Sequence, residues 1–131
     1  MAKMIHSMIR VFDLDRSIKF YAQALQLKVK QRCDFDGFSL VYLANEESSF
    51  ELELTYNADR CTPYSHGSGY GHLAVTVDDI NATHNALLTA QLMPGEVKVF
   101  HQQDQVLAKF FFITDPDGYQ IEFIERAGRY Q

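Results

Sequence analysis

The sequence predicts an α+β protein built from two copies of one β-α-β-β-β module. Three observations support this prediction: strand-like alternation in both halves, a helical segment after the first strand of each half, and the same order of elements in both halves. The two repeats span about residues 1–61 and 70–126 of one domain. The segment between them is rich in Gly, Ser and Pro, which is typical of a connector.

The first half contains three recognisable strands and one helix. Residues 5–12 alternate as a strand, and they place His6 and Arg10 on the same face. Asp13 can cap a following helix, whose apolar side chains recur at helical spacing. Two further strands are predicted, over residues 38–43 and 50–57.

The second half repeats this order. A strand over residues 72–77 begins with His72, and Asp78-Asp79 can cap the helix that follows it. Strands are also predicted over residues 106–113 and 119–124, and the turn sequence Asp-Pro-Asp-Gly separates them. The run Phe110–Phe112 is predicted to lie in the core on one face of its strand.

Each half places a histidine on its first strand and a glutamate on its last strand: His6 and Glu53, then His72 and Glu122. If the two modules pair into one curved sheet, all four side chains can converge on its concave face. Two imidazoles and two carboxylates suit Ni, Co, Zn, Mn or Fe(II). Any one of these residues alone is more often structural, but the agreement of all four positions predicts a metal site. The remaining histidines are predicted on loop or helix surfaces: His66, His84 and His101.

Two polar side chains share the faces of these ligands. Arg10 lies on the His6 face, where its guanidinium would favour a substrate carboxylate, although a surface arginine is an equal alternative. Asn57 lies on the Glu53 face and can hydrogen-bond the same ligand, or it can form a turn. Both residues are therefore candidate substrate contacts.

Composition and charge argue against several classes of protein. The chain is 47% hydrophobic and 22% charged, as in an ordinary globular protein. Its net charge of -5, without a clustered basic face, argues against a nucleic-acid partner. Cys33 and Cys61 form no metal-binding or disulfide pattern, so reduced thiols are expected. No segment has the features of a signal peptide or a membrane span, which predicts a cytoplasmic protein.

Four motifs carry a family resemblance over nearly the whole chain: His6–Tyr21, Glu53–Asn57, Gly69–Ala74 and Asp115–Glu122. Together they resemble the vicinal-oxygen-chelate superfamily, and within it the short bacterial-type form of glyoxalase I (lactoylglutathione lyase). The sequence Glu53-Leu54-Thr55-Tyr56-Asn57 is the most specific of the four motifs. The Asp115–Glu122 motif is shared across much of the superfamily and discriminates less.

The resemblance implies a glyoxalase fold paired across a homodimer, with active sites at the interface that both subunits build. It implies the metal ligands His6, Glu53, His72 and Glu122, and it makes Glu122 the catalytic base as well. The implied reaction isomerises the hemithioacetal of methylglyoxal and glutathione to S-lactoylglutathione through an enediolate. The implied metal is nickel or cobalt, with zinc as the alternative.

The resemblance also implies how glutathione is bound. Arg10 and Asn57 match positions that hold its glutamyl end, and Lys98 matches a lysine that grips its glycyl carboxylate. The family flanks this lysine with glycine on both sides, but here residues 99–105 contain none. This departure leaves room for a different thiol.

Three alternatives remain at this point. A carboxylic-thioester epimerase of the same superfamily uses a similar proton transfer, but the Glu53–Asn57 motif favours glyoxalase. An extradiol dioxygenase uses two histidines and one carboxylate on Fe(II), and Glu53 would crowd its oxygen face. A non-catalytic protein that binds small molecules would not be expected to keep all four ligand candidates.

Overall fold

The computed structural model describes all 131 residues of the chain, Met1–Gln131. The chain divides into two compact units, Met1–Ser65 and His66–Gln131. Each unit contains one helix and one four-stranded sheet, which confirms the α+β class and the β-α-β-β-β order of each module. Neither helix has the length and the apolar character that a membrane crossing requires.

The first unit forms a sheet in which the first and last strands are neighbours. Its strand order is β1-β4-β3-β2; β1 runs parallel to β4, and the other pairs are antiparallel. The elements are β1 (His6–Arg10), α1 (Leu14–Leu25), β2 (Lys28–Phe35), β3 (Phe38–Ala44) and β4 (Glu51–Asn57).

The second unit has the same topology. Its strand order is β5-β8-β7-β6, with β5 parallel to β8 and the other pairs antiparallel. The elements are β5 (His72–Val77), α2 (Ile80–Thr89), β6 (Lys98–Gln102), β7 (Gln105–Thr114) and β8 (Gln120–Glu125).

Both helices begin at the predicted aspartates. A carboxylate oxygen of Asp13 accepts a hydrogen bond from the Arg16 amide at 3.0 Å, and Asp79 accepts one from the Ala82 amide at 2.9 Å. Each bond satisfies one of the backbone N–H groups that a helix leaves unpaired at its first turn. The two caps therefore fix where the chain leaves the first strand of each unit.

The core of each unit follows the predicted alternation. On β1 and the residue that follows it, Ile9 and Val11 are buried while His6 and Arg10 are exposed. In the second unit, Phe111 is buried and stacks on Phe123 with ring centroids 4.9 Å apart. The opposite face of β7 and β8 carries a second apolar cluster, formed by Ala108, Phe110, Ile124, Phe112 and Tyr130. The Phe110–Phe112 run thus contributes apolar side chains to both faces of its sheet.

Two strands have no counterpart among the segments recognised in the sequence. β2 and β6 are exposed along nearly their whole length, so their side chains do not alternate between core and solvent. His101 lies on β6, so its predicted place on a loop or helix surface is wrong. His84 does lie on α2, but it is half-buried, and its Nε2 is 2.8 Å from the Gly95 carbonyl oxygen. His66 lies in a loop, stacked on Tyr119, and its Nε2 is buried without a hydrogen-bond partner.

Adjacent leucines of α2 provide a matched test of the second core. Leu87 is 4% exposed and Leu88 is 51% exposed. Leu87→Ala should lower the free energy of unfolding by about 2 to 5 kcal/mol, because it removes buried methyl groups and leaves a cavity. Leu88→Ala should change it by less than about 0.5 kcal/mol. Urea denaturation of both variants measures the difference, and equal losses would contradict the burial of the Leu87 side chain.

Candidate active site

The first unit brings two of the predicted ligands into contact. His6 Nε2 lies 2.9 Å from Glu53 Oε2. In the parallel pairing of β1 with β4, Glu53 lies opposite Met8, so His6 and Glu53 are diagonal neighbours on one face of the sheet. The Glu53 side chain is 10% exposed and the imidazole is 34% exposed, so the carboxylate lies beneath an accessible histidine.

The second unit reproduces this pair. His72 Nε2 lies 2.9 Å from Glu122 Oε2. Glu122 lies opposite Ala74 in the parallel pairing of β5 with β8, which makes His72 its diagonal neighbour. Equivalent strands, register and distance therefore produce the same two-donor arrangement in both units.

The spacing of each pair fits two ligands of one metal ion. Imidazole nitrogen and carboxylate oxygen bind such ions at about 2.0 to 2.2 Å, so two donors at right angles stand about 3 Å apart. The observed separations of 2.9 Å agree with this value. No cluster of three or more His, Cys, Asp or Glu side chains in the chain could hold a metal. Each unit by itself thus offers two candidate metal donors.

Thr55 and Tyr42 lie beside the first pair. Thr55 Oγ1 lies 3.5 Å from Glu53 Oε1, as a weak hydrogen-bond donor, and the edge of the Tyr42 ring faces His6 with centroids 5.9 Å apart. Burial raises the pKa of the Tyr42 phenol, and the nearby charges of Glu53, Cys33 and Glu51 raise it further. Tyr42 therefore remains a protonated phenol beside this pair in the neutral pH range.

Apolar side chains surround the second pair. Phe112 lies opposite Glu122 in the β7–β8 pairing, as Tyr42 lies opposite Glu53 in the β3–β4 pairing. The Phe112 ring meets His72 edge-on, with centroids 5.2 Å apart, and it packs on the apolar cluster of β7 and β8. The two glutamates consequently have different neighbours across the strand pair, a phenol for Glu53 and a phenyl ring for Glu122.

A pocket of about 410 Å³ opens beside the end of β4 in the first unit. It brings together both predicted substrate contacts of that unit, Arg10 and Asn57. Five residues that follow β4 complete its lining: Asp59, Arg60, Cys61, Thr62 and Tyr64. These five were not identified as site residues from the sequence, although the adjacent charges of Asp59 and Arg60 after a predicted strand end were a usable signal.

Comparison with known proteins agrees with this arrangement. Residues 3–123 match the model of the glyoxalase/bleomycin resistance protein/dioxygenase superfamily. The chain belongs to this glyoxalase superfamily. The resemblance drawn from the four motifs is therefore confirmed.

Individual glyoxalases are similar over almost the whole chain. The lactoylglutathione lyase of Haemophilus influenzae is 42% identical, and the alignment covers 94% of this chain and 92% of the relative. The lactoylglutathione lyase of Neisseria meningitidis serogroup A is 36% identical, with 95% and 91% covered. Among solved structures, the trypanothione-dependent glyoxalase I of Leishmania major is 39% identical and superposes with a TM-score of 0.73. That superposition covers 95% of this chain and 87% of the Leishmania chain.

Within this glyoxalase fold, the predicted site residues fall into separate groups. His6, Glu53, Arg10 and Asn57 lie in the first unit, and His72 and Glu122 form a pair in the second. Lys98 is the first residue of β6, is exposed, and lies opposite Phe110. It does not line the pocket that contains Arg10 and Asn57. The roles of these residues in binding and catalysis remain predictions.

Proposed function

We propose that the chain is a lactoylglutathione lyase that isomerises the hemithioacetal of methylglyoxal and glutathione to S-lactoylglutathione, a reaction that detoxifies methylglyoxal. The observation that carries this proposal is the pair of matching His–Glu contacts, each 2.9 Å long, in a chain with lactoylglutathione lyase relatives up to 42% identical. An epimerase or a dioxygenase of the same superfamily would not be expected to show this identity to lactoylglutathione lyases.

The proposed metal ligands are His6, Glu53, His72 and Glu122. The donor spacing within each pair supports this assignment, and so does the chemistry of the set, because two imidazoles and two carboxylates suit a divalent ion of the later transition series. Nickel or cobalt is the proposed metal, with zinc as the alternative. When bound, the ion would supply a Lewis acid that stabilises negative charge on the substrate oxygens.

Glu122 is proposed to carry the proton. Its carboxylate takes the proton from the substrate carbon that bears sulfur and hydroxyl, and it returns that proton to the neighbouring carbon. The hydroxyl proton passes to the neighbouring carbonyl oxygen, so a thioester and a new alcohol form without any net gain or loss of atoms. The Phe112 ring favours this role, because it offers no hydrogen-bond donor that would occupy the Glu122 carboxylate during the transfer. Glu53, beside Thr55, remains a ligand.

We also propose that the enzyme is a homodimer with active sites at the subunit interface. The chain holds no three-ligand cluster, so a four-ligand centre requires the two pairs to be brought together. In the proposed dimer, the first unit of one protomer supplies one pair and the second unit of its partner supplies the other. The accessible imidazoles, 34% and 43% exposed, are compatible with completion by a second pair.

Glutathione is the proposed thiol, with Arg10 and Asn57 at its glutamyl end and Lys98 at its glycyl carboxylate. The pocket that contains Arg10 and Asn57 supports the first assignment. The Leishmania relative depends on trypanothione, so that thiol is the appropriate comparison substrate.

The test is turnover by protein stripped with a chelator and then loaded separately with Ni, Co or Zn. Formation of the thioester from preformed methylglyoxal–glutathione hemithioacetal is followed by ultraviolet absorbance, and the trypanothione hemithioacetal is assayed in parallel. We expect no turnover without metal, the highest turnover with Ni or Co, and a higher kcat/KM for the glutathione substrate. Stoichiometric metal binding without turnover of either substrate would overturn the proposed function.

A further inference from the structure

We propose that Arg60 and Asp59 determine substrate specificity by recognising the free amino-acid end of the thiol, Arg60 its α-carboxylate and Asp59 its α-ammonium group. This inference rests on the proposed function and adds to it, because it assigns two residues of the loop after β4 to the selection of the thiol. Both residues line the pocket that also contains Arg10 and Asn57.

The Arg60 guanidinium is held in place by its own loop. Its Nε donates to the Thr62 carbonyl oxygen at 2.7 Å, and its Nη2 donates to the Pro63 carbonyl oxygen at 2.9 Å. The guanidinium carbon also lies 4.3 Å from the centroid of the Tyr64 ring, in a cation–π contact. These bonds use two of the five N–H donors of an arginine, so donors remain for a ligand. A guanidinium that is already ordered loses little conformational entropy when it binds a carboxylate.

Tyr64 connects Arg60 to the predicted contact Asn57. The Asn57 Nδ2 group donates to the Tyr64 hydroxyl at 3.2 Å, while the face of the same ring carries the guanidinium. The Arg60 amide in turn donates to the Asn57 carbonyl oxygen at 3.2 Å, which closes the turn between them. One aromatic ring therefore orients both the amide and the cation of the pocket.

The charges of the pocket match a zwitterion better than a simple anion or cation. Two guanidinium groups, from Arg10 and Arg60, and one carboxylate, from Asp59, line it. A purely anionic ligand would meet the Asp59 charge, and a purely cationic ligand would meet two arginines. An α-amino acid end presents a carboxylate and an ammonium group together, so it can pair with both signs. The volume of about 410 Å³ is in the usual range for a small-molecule site.

The test measures the binding of three S-hexyl probes to the metal-loaded protein by calorimetry. The first is S-hexylglutathione. In the second, a 4-aminobutyryl group replaces the γ-glutamyl residue and removes the α-carboxylate. In the third, a glutaryl group removes the α-ammonium. We expect the wild-type protein to bind the first probe at least about tenfold more tightly than either of the others, because each of the others lacks one hydrogen bond to a charged group.

The variants separate recognition from loop structure. Arg60→Met should weaken the first and third probes about tenfold but leave the aminobutyryl probe unchanged, since that probe lacks the α-carboxylate that Arg60 is proposed to bind. Asp59→Asn should weaken the first and second probes but not the glutaryl probe. In turnover assays, both variants should raise KM with little change in kcat, because the contacts lie away from the reacting carbons.

Several outcomes would overturn the proposal. If both variants bound all three probes with wild-type affinity, Arg60 and Asp59 would not be part of the binding site. An equal loss of affinity for all three probes would mean that Arg60 and Asp59 only shape the loop. The Tyr64→Leu variant, which removes the ring beneath Arg60, provides the reference for that pattern. In both cases wild-type binding of S-hexylglutathione would leave the proposed function intact. A wild-type protein that does not bind S-hexylglutathione at all would overturn glutathione as the thiol, and the inference with it.

Discussion

Glu122→Gln is expected to lower kcat by about a thousandfold in the metal-loaded enzyme. The amide of glutamine has almost the same shape as the carboxylate and keeps an oxygen that can face a metal, but it cannot accept a proton at neutral pH. General bases contribute about 10² to 10⁴ to the rates of proton transfer reactions, so removing this one should eliminate nearly all turnover. The assay is thioester formation at saturating hemithioacetal, with metal content measured on the same sample.

Glu125→Gln is the matched control, because Glu125 lies on β8 with Glu122 but outside the His72 pair. Its Oε2 accepts a hydrogen bond from the Ile80 amide at 3.2 Å, and an amide oxygen can replace that acceptor. This control should keep a near-normal kcat. Near-normal turnover by metal-loaded Glu122→Gln would contradict the role of Glu122 as base. If the loss of activity in Glu122→Gln were proportional to its loss of bound metal, Glu122 would be a ligand only.

His6→Ala and His72→Ala are each expected to be inactive as homodimers, yet the heterodimer of the two should regain about half of the wild-type activity. If each active site combines the first unit of one protomer with the second unit of its partner, one site of the heterodimer carries both substitutions and the other carries neither. Differently tagged protomers allow the heterodimer to be purified and assayed with the glutathione hemithioacetal.

A second heterodimer supplies the control for this complementation. His6→Ala and Glu53→Ala both damage the pair of the first unit. Each site of their heterodimer therefore contains one damaged pair, and no activity should return. If the His6→Ala/His72→Ala heterodimer were also inactive while remaining dimeric and folded, shared interface sites would be refuted.

The strands and helices that the sequence located have one face that is buried or half-buried. β1 alternates between buried Ile9 and exposed Arg10, and α1 begins at Asp13, so periodicity and capping identify both. β2 and β6 could not be located in the same way, because their side chains are almost all exposed and their position is set by hydrogen bonds to β3 and β7. The misplacement of His101 follows from the missed β6.

The ligand pairs were predictable from the sequence because the module is repeated. The lining of the pocket was not predictable in this way. Equivalent positions in two modules identify His6 with His72 and Glu53 with Glu122 without any knowledge of the fold. The positions of Asp59 and Arg60 instead depend on single turn contacts. The Ala58 amide donates to the Gly37 carbonyl oxygen, and the Arg60 amide donates to that of Asn57. Such contacts have no periodicity that a sequence pattern could reveal.

The parallel pairing of first and last strands also determines when the His–Glu pair of a unit can form. His6 and Glu53 come from opposite ends of their unit and meet only through the β1–β4 register. In an unfolded chain, closing so long a loop costs entropy, so the two donors seldom meet by chance. On the proposed ligand assignment, the unfolded chain would therefore compete poorly for the ion, and nearly all of the binding free energy would favour the folded, dimeric state. A partly synthesised chain that still lacks Glu53 cannot form the first pair.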